Sequence, residues 1–360
     1  MEPLKNIYNR TFVEKLADKM KEECLSFDEQ SFFDSVYQQD WEELALKERM
    51  RRLTISLHDS LPLDYLEVLD CFYKAAPFFK GLGGIIFPDY IEVYGQNHWE
   101  QSIAALQFLT EYSTSEFAVR PYLLHDQEKM LNQMQIWAKS ENEHVRRFAS
   151  EGCRPRLPWG MSIPALKKNP YPVLPILERL KSDDSLYVRK SVANNLNDIS
   201  KTHPDLVVEL ATSWYGENTY TDWIVKHACR TLLKKGDSKV LTIFGYDAGE
   251  SLKISTIHCE KKHLSIGESI AFSFEIYAPN PQKIRVEYAI DYVKANGKRS
   301  KKVFHLSETM LQAEQRKAYS KVHSFKDLTT RKHYKGQHTL YLIVNGVERE
   351  SIDFDVMDAE

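Results

Sequence analysis

The hydrophobic period of this chain changes once, near residue 248, and that change limits the fold more than any other feature. Before it, apolar residues mostly recur every three or four positions, the spacing of a helix that buries one face. Residues 9–20 and 41–57 are two such stretches. After Asp247-Ala248-Gly249 the pattern becomes short alternating runs rich in β-branched and aromatic residues, as in SIAFSFEIYA (269–278), KIRVEYAIDYV (283–293), KKVFHLS (301–307) and HTLYLIVNG (338–346). Alternation of period two belongs to strands with one face buried. A chain carrying both periods in separate blocks is expected to form two domains, an all-α domain over residues 1–247 and an all-β domain over 248–360.

Turn residues punctuate the second block. Pro279-Asn280-Pro281, Asn296-Gly297 and Asn345-Gly346 separate its runs, and Asn-Gly pairs favour the tight turns of antiparallel hairpins. About seven strands in roughly 110 residues suit an antiparallel sandwich of immunoglobulin size. The block has one cysteine and no tryptophan, so the Cys…Trp…Cys signature of antibody domains is absent and the likeness rests on strand number and length. Two basic stretches lie in it, Lys294 with Lys298-Arg299-Ser300-Lys301-Lys302, and Arg331-Lys332-His333-Tyr334-Lys335. They are open to two readings: loops that grip phosphate, or a lysine-rich sheet edge that blocks aggregation.

The helical block contains a weak repeat. Val119-Arg120, Val145-Arg146-Arg147, Val188-Arg189-Lys190 and Val225-Lys226-His227 each read as opening the second helix of a pair, and spacings of 43 and 37 residues separate the last three. That is the period of HEAT-type helix pairs, which stack into a solenoid with one continuous core. The longer interval holds RPRLPWGMSIPALKKNP (154–170), whose four prolines forbid a single helix. A long insertion in a solenoid is more often functional than accidental.

On a helical wheel Val145, Phe148, Ala149 and Cys153 share the core face. Arg147, Glu151 and Arg154 form a polar strip opposite. In the next pair Val188, Val192, Leu196 and Ile199 face the core, and Lys190, Asn194 and Asp198 make the matching strip. Parallel stacking would place both strips on one surface. Each residue also has a structural reading. Arg147 and Glu151 suit an ordinary helix-surface ion pair, Glu116 a first-turn acid that favours the helix dipole, and Trp159 a pin for its loop.

Several function classes fall away. The net charge of −3 divides into −7 over residues 1–250 and +4 over 251–360, so contacts to phosphate would have to be local patches. No run of apolar residues is long enough to span a bilayer, and the opening segment lacks a signal peptide's apolar core. The five cysteines are widely spaced and odd in number; neither a zinc site nor a disulfide framework is expected, and a reducing cytosol suits the chain. The histidines show no metal-binding spacing, and no Walker, GxGxxG or GxSxG motif occurs. Gly81-Leu82-Gly83-Gly84 lacks the Lys and Ser/Thr of a phosphate loop and reads as a turn.

Three segments, SEFAVRPYL (115–123), NEHVRRFASEGCRPRLPW (142–159) and YVRKSVANNLNDISKTHPDLV (187–207), together resemble the AlkC-type DNA alkylation repair glycosylases, and the opening helices are also similar. The resemblance covers most of residues 1–245. It implies a mostly α fold, a HEAT-like α–α solenoid with a C-terminal all-β immunoglobulin-like sandwich that occurs in a subset of the family. It also implies a cofactor-free glycosylase that removes cationic N3-alkylated bases, 3-methyladenine and 3-methylcytosine, from double-stranded DNA without flipping them. Glu116, Glu151 and Asp198 would then be the active-site acids and Trp159 the aromatic beside the lesion. The helical wheel adds Arg147, Arg154, Arg156, Arg189 and Lys190 as candidate phosphate contacts. A monomer in the bacterial cytosol, bound to alkylated DNA and to no membrane or metal, is the expectation. The alternatives are a non-catalytic HEAT scaffold and a DNA-binding damage sensor that does not cut.

Overall fold

The computed structural model describes residues 3–328 and 331–358. Two compact units emerge, Met1–His203 with Gly216–Ala228, and Pro204–Tyr215 with Cys229–Glu360.

The first unit is helical, and its helices start where the sequence supplies caps. Asn9 accepts from the Phe12 amide at 2.9 Å, and the Arg10–Glu23 helix buries Val13, Leu16, Ala17 and Met20. Asp64 caps Tyr65–Ala75 by accepting from the Leu66 and Glu67 amides, and the Glu67 carboxylate accepts from the Asp64 amide in return. Such caps each contribute about 1 kcal/mol. The expected helix at 41–57 begins only at Leu46 and runs to Asp59. The Glu48 carboxylate accepts from the Ala45 amide at 2.7 Å, which fixes the start there.

The repeat dipeptides open their helices in three of four cases. Val119 directly precedes Arg120–His125, and Val145 and Val188 lie in the first turns of Glu143–Gly152 and Leu186–Ile199. Val225 instead lies late in Thr219–Ala228, because Asn218 accepts from the Tyr220 and Thr221 amides and starts that helix earlier. The wheel-predicted core residues Val188, Val192, Leu196 and Ile199 are buried. Trp137 stacks on Phe148, their ring centres 4.6 Å apart. Asn195, fully buried, donates to the Ser150 carbonyl at 2.9 Å and locks two of these helices together.

One expectation is overturned. Cys24, just past the first helix, forms a disulfide with Cys71, their Cα atoms 6.0 Å apart. The packing of Arg10–Glu23 against Tyr65–Ala75 joins residues 47 apart in sequence, and spacing alone carried no sign of that.

Among the described residues, the second unit gathers nine strands with the helices Pro204–Trp214, Arg230–Lys234 and Ser238–Ile243. The strands are β1 (Lys253–Ile254), β2 (His258–Cys259), β3 (His263–Ser265), β4 (Ser269–Ala278), β5 (Gln282–Val293), β6 (Arg299–Leu311), β7 (Gln315–Ser324), β8 (Gly336–Val344) and β9 (Val347–Met357). One sheet runs β1-β4-β2, with β7 also pairing β4; the other runs β3-β9-β8-β5-β6. All pairs are antiparallel except β3 with β9. Alternate residues of β4, from Ile270 to Ala278, face a core shared with Ile284, Val286, Tyr288, Leu340, Leu342 and Phe354. Asn345 and Gly346, with φ of 50° and 76°, make the β8–β9 turn in the left-handed region that this tight hairpin requires. The lysine-rich stretch 298–302 begins β6, the outer strand of its sheet. Lys301 pairs with Glu348 at 2.6 Å, and Arg299 reaches Asp291 at 3.3 Å. That is the chemistry of a guarded edge.

Candidate active site

The acids singled out by sequence converge. Glu116 lies between the Trp99–Leu109 and Arg120–His125 helices, Glu151 near the end of Glu143–Gly152, and Asp198 near the end of Leu186–Ile199. Arg147 and Arg154 link all three into a row of alternating charge. Arg147 pairs directly with Glu116 and approaches Glu151 at 3.6 Å. Arg154 donates to Glu151 at 2.6 Å through Nη1 and to Asp198 at 2.9 Å through Nε. Lys201 closes the row on the other oxygen of Asp198 at 2.9 Å.

Neutral donors complete the shell. Thr114 Oγ1 donates to Glu116 at 2.7 Å, and Ser191 Oγ donates to Glu151 at 2.6 Å. The Arg147 guanidinium lies 5.1 Å from the Tyr187 ring centre. Burial acts to depress both arginines, yet the paired carboxylates prevail and hold Arg147 and Arg154 above the ordinary arginine range. Burial also raises the Tyr187 phenol, with Arg147 pulling the other way. Three acids meet three cations, so the row is close to neutral as it stands.

The wheel set Arg147, Glu151, Arg154 and Asp198 on one polar surface, where Arg147 and Glu151 also suited an ordinary helix-surface ion pair. Instead Glu116 is 8% exposed, Glu151 6% and Asp198 1%. The Glu143–Gly152 and Leu186–Ile199 helices pack together, and Arg154 bridges the polar faces between them. A single-helix wheel carries no information about the neighbour that covers a face.

The other candidates lie in varied settings. Trp159 is 60% exposed on the proline-rich loop, with φ of 63°. Lys190 is exposed and Arg156 half-buried. Arg189 donates to the Asp183 and Asp184 carbonyls, each at 2.8 Å, and stacks 4.1 Å from the Tyr220 ring centre. Sequence reasoning missed Thr114, Tyr187, Ser191 and Lys201. Ser191 follows Lys190, and Tyr187 falls one turn from it, so only the partner helix reveals their role. Among the described residues no group of three or more His, Cys, Asp or Glu side chains is placed to hold a metal ion. No helix among them is long and apolar enough to cross a membrane.

Comparison with known proteins places the chain in a family. Residues 110–232 match the family model for the DNA alkylation repair enzyme, and residues 253–358 match the C-terminal Ig-like domain of the uncharacterised protein YhaZ. The chain is 57% identical to the uncharacterized protein YhaZ of Bacillus subtilis (strain 168), over 99% of this chain and 100% of that protein. Among solved structures, Pseudomonas fluorescens alkylpurine DNA glycosylase AlkC, bound to DNA containing an abasic site analog, superposes with a TM-score of 0.96 at 40% identity, covering 99% of this chain and 100% of that one. With its HEAT-like helices, its immunoglobulin-like sandwich and this likeness along its whole length, the chain belongs to the AlkC-type family of DNA alkylation repair glycosylases.

Proposed function

We propose that this enzyme hydrolyses the N-glycosidic bond of cationic N3-alkylated bases, 3-methyladenine and 3-methylcytosine, in duplex DNA, and does so with the lesion still in the helix. The observation that carries the reading is the convergence of Glu116, Glu151 and Asp198, from three separate segments, on one row with Arg147 and Arg154.

An N3-alkylated base already bears positive charge and leaves without protonation. Breaking its bond to deoxyribose develops oxocarbenium character on the sugar. Carboxylates held nearby stabilise that charge more strongly than water would, because they are fixed and partly shielded from solvent. One of them orients or deprotonates the attacking water, as carboxylates do in glycoside hydrolysis. The face of Trp159 attracts the cationic base. Arg147, whose side chain is 14% exposed, is the group we assign to a DNA phosphate. Its transfer from Glu116 to phosphate would leave the acids with net negative charge just as the cationic nucleotide arrives. Lys190 and Arg156 are assigned to further phosphates. Arg154 and Arg189, with their present partners, serve more to hold the acids and the Asp183–Asp184 turn. The division into residues 1–247 and 248–360, action as a monomer and a cytoplasmic location belong to the same proposal.

The direct test is incubation of the purified protein with methylated duplex DNA in the presence of a metal chelator, with chromatography of the released bases. Release of free 3-methyladenine and 3-methylcytosine is expected. Binding of methylated DNA without release would favour a damage sensor, and neither binding nor release a scaffold.

A further inference from the structure

The proline-rich loop that follows the Glu143–Gly152 helix carries both Arg154 and Trp159, and two side chains from elsewhere in the helical unit grip its backbone. Arg120 is fully buried, and the bonds described for its guanidinium all go to carbonyls. It donates to Gly152 O at 2.9 Å, to Arg154 O at 3.0 Å and, through Nε, to Met161 O. Burial pushes its pKa down to about 10, a cost that an arginine without a carboxylate bears only where its planar fork is needed. Lys47, from the Leu46–Asp59 helix, donates to Trp159 O, and its ammonium lies 4.7 Å from the Phe117 ring centre.

The backbone between these grips is constrained. Trp159 has φ of 63°, a left-handed conformation disfavoured for a bulky residue. A Cβ on Gly160 would come within 2.9 Å of Leu157 Cδ2 and 3.2 Å of Arg120 Cδ, so no larger residue fits there without a shift. The strained turn and its two clamps leave the large indole more than half exposed. Desolvation does not drive that arrangement, since the indole remains more than half exposed.

We propose that Lys47 and Arg120 are positioning residues for base excision, which fix the loop so that Trp159 already points at the alkylated nucleotide before DNA binds. The proposal rests on the reading that Trp159 meets the lesion. A preset loop removes the entropy of ordering an aromatic at the moment of reaction, and small displacements of such groups are costly in rate.

The test is single-turnover excision of 3-methyladenine from a defined duplex by the full chain carrying Trp159→Ala, Lys47→Met, Arg120→Lys, and the Lys47→Met/Trp159→Ala pair. Binding to an abasic-site duplex is measured in parallel. Lys47 is exposed, so its replacement does not threaten folding. Lys47→Met is expected to slow excision roughly 5-fold, the worth of one hydrogen bond, with duplex affinity within about 2-fold by the same reasoning. In the Trp159→Ala background it should slow excision by less than about 1.5-fold, because the side chain it positions is gone. Arg120→Lys keeps the charge and loses the fork, and its loss of rate should be the larger. Normal excision by Trp159→Ala would refute the lesion-contact reading and the clamp with it. Slow Trp159→Ala with an unaffected Lys47→Met, or with equal losses in both backgrounds, would overturn the clamp alone. So would a folded Arg120→Lys enzyme that works at the wild-type rate.

Discussion

The helical unit and the sandwich bury polar groups in different ways. In the helical unit Glu116, Glu151 and Asp198 lie in a row of ion pairs drawn from three distant segments. In the sandwich, the imidazoles of His323 and His338 are buried within hydrogen bonds, and burial disfavours their charged forms. His323 lies between Tyr288 Oη at 3.0 Å and Tyr292 Oη at 2.7 Å. His338 Nε2 accepts from the Val293 amide, which leaves Nδ1 to donate to the Gly336 carbonyl at 2.9 Å. The sandwich also has an ionic cluster, Arg285 with Glu287 and Glu308, but it is local: Glu308 is the register partner of Arg285 across β5–β6. Keeping groups charged out of water is costly, and pairing often only balances the cost. A fold that needs only to be stable has the neutral solution at hand. The long-range row of charge in the helical unit therefore suits a task beyond stability, and that contrast can be broken by experiment.

The largest effect should come from removing charge while keeping shape. Glu151→Gln and Asp198→Asn are expected to fold as the wild type does and to lose roughly 100-fold or more in excision, the scale of deleting one electrostatic contact to a transition state. Circular dichroism and single-turnover kinetics would check both. Full activity in either variant would remove that acid from the reaction. Next in size is Arg154→Met, which leaves Glu151 and Asp198 buried without their shared partner. A loss of about 3–5 kcal/mol in folding stability is expected from an uncompensated buried charge, read from urea denaturation. A loss under about 1 kcal/mol, the range of exposed pairs, would mean that the row is effectively solvated.

The sandwich gives the third prediction, which concerns protonation. Burial, followed by the charges of Arg331 and His333, holds the His323 pKa down to about 4. An unfolded chain binds that proton near pH 6.5, so between these values the unfolded state carries more protons. Stability contributed by neutral His323 is complete above about pH 6.5 and is lost as pH falls toward 4. His338 is depressed in the same direction by burial and adds to the trend. The His323 contribution is on the order of 3 kcal/mol. Unfolding midpoints measured from pH 7 to pH 4 should fall, and His323→Gln should flatten the curve. An unchanged slope in that variant would assign the acid sensitivity elsewhere.

Much of this contrast was visible in the sequence, though not its decisive part. The change of period located the helices and strands, since burial on one face repeats at 3.6 or at 2 whatever the neighbours are; β4 covers the run read as SIAFSFEIYA. The wheel also set Glu151, Arg154 and Asp198 on two strips of one surface. It could not show that those strips close on one another, nor that Ser191 and Lys201 would finish the shell, because those facts belong to a pair of helices. Arg120 and Lys47 act on carbonyls 41 and 112 residues away, and a carbonyl has no letter in the sequence. The Cys24–Cys71 bond escaped for the same reason.

The smallest expected effect separates the exposed cations of the two units. Lys190 is exposed on the acid-bearing Leu186–Ile199 helix, free to neutralise a phosphate. Lys301 is held by Glu348 at 2.6 Å and lies 3.5 Å from the Tyr341 ring centre. Each phosphate contact contributes about one unit to the slope of log affinity against log salt. Lys190→Ala should therefore lower that slope by about one, with excision at saturating DNA unchanged. Lys301→Ala should leave it where it was, since its ammonium already has a counter-ion. A salt slope that drops for Lys301→Ala and not for Lys190→Ala would move the phosphate track from the helices to the sandwich edge, and would reassign the basic stretch of β6 from guarding the edge to gripping the duplex.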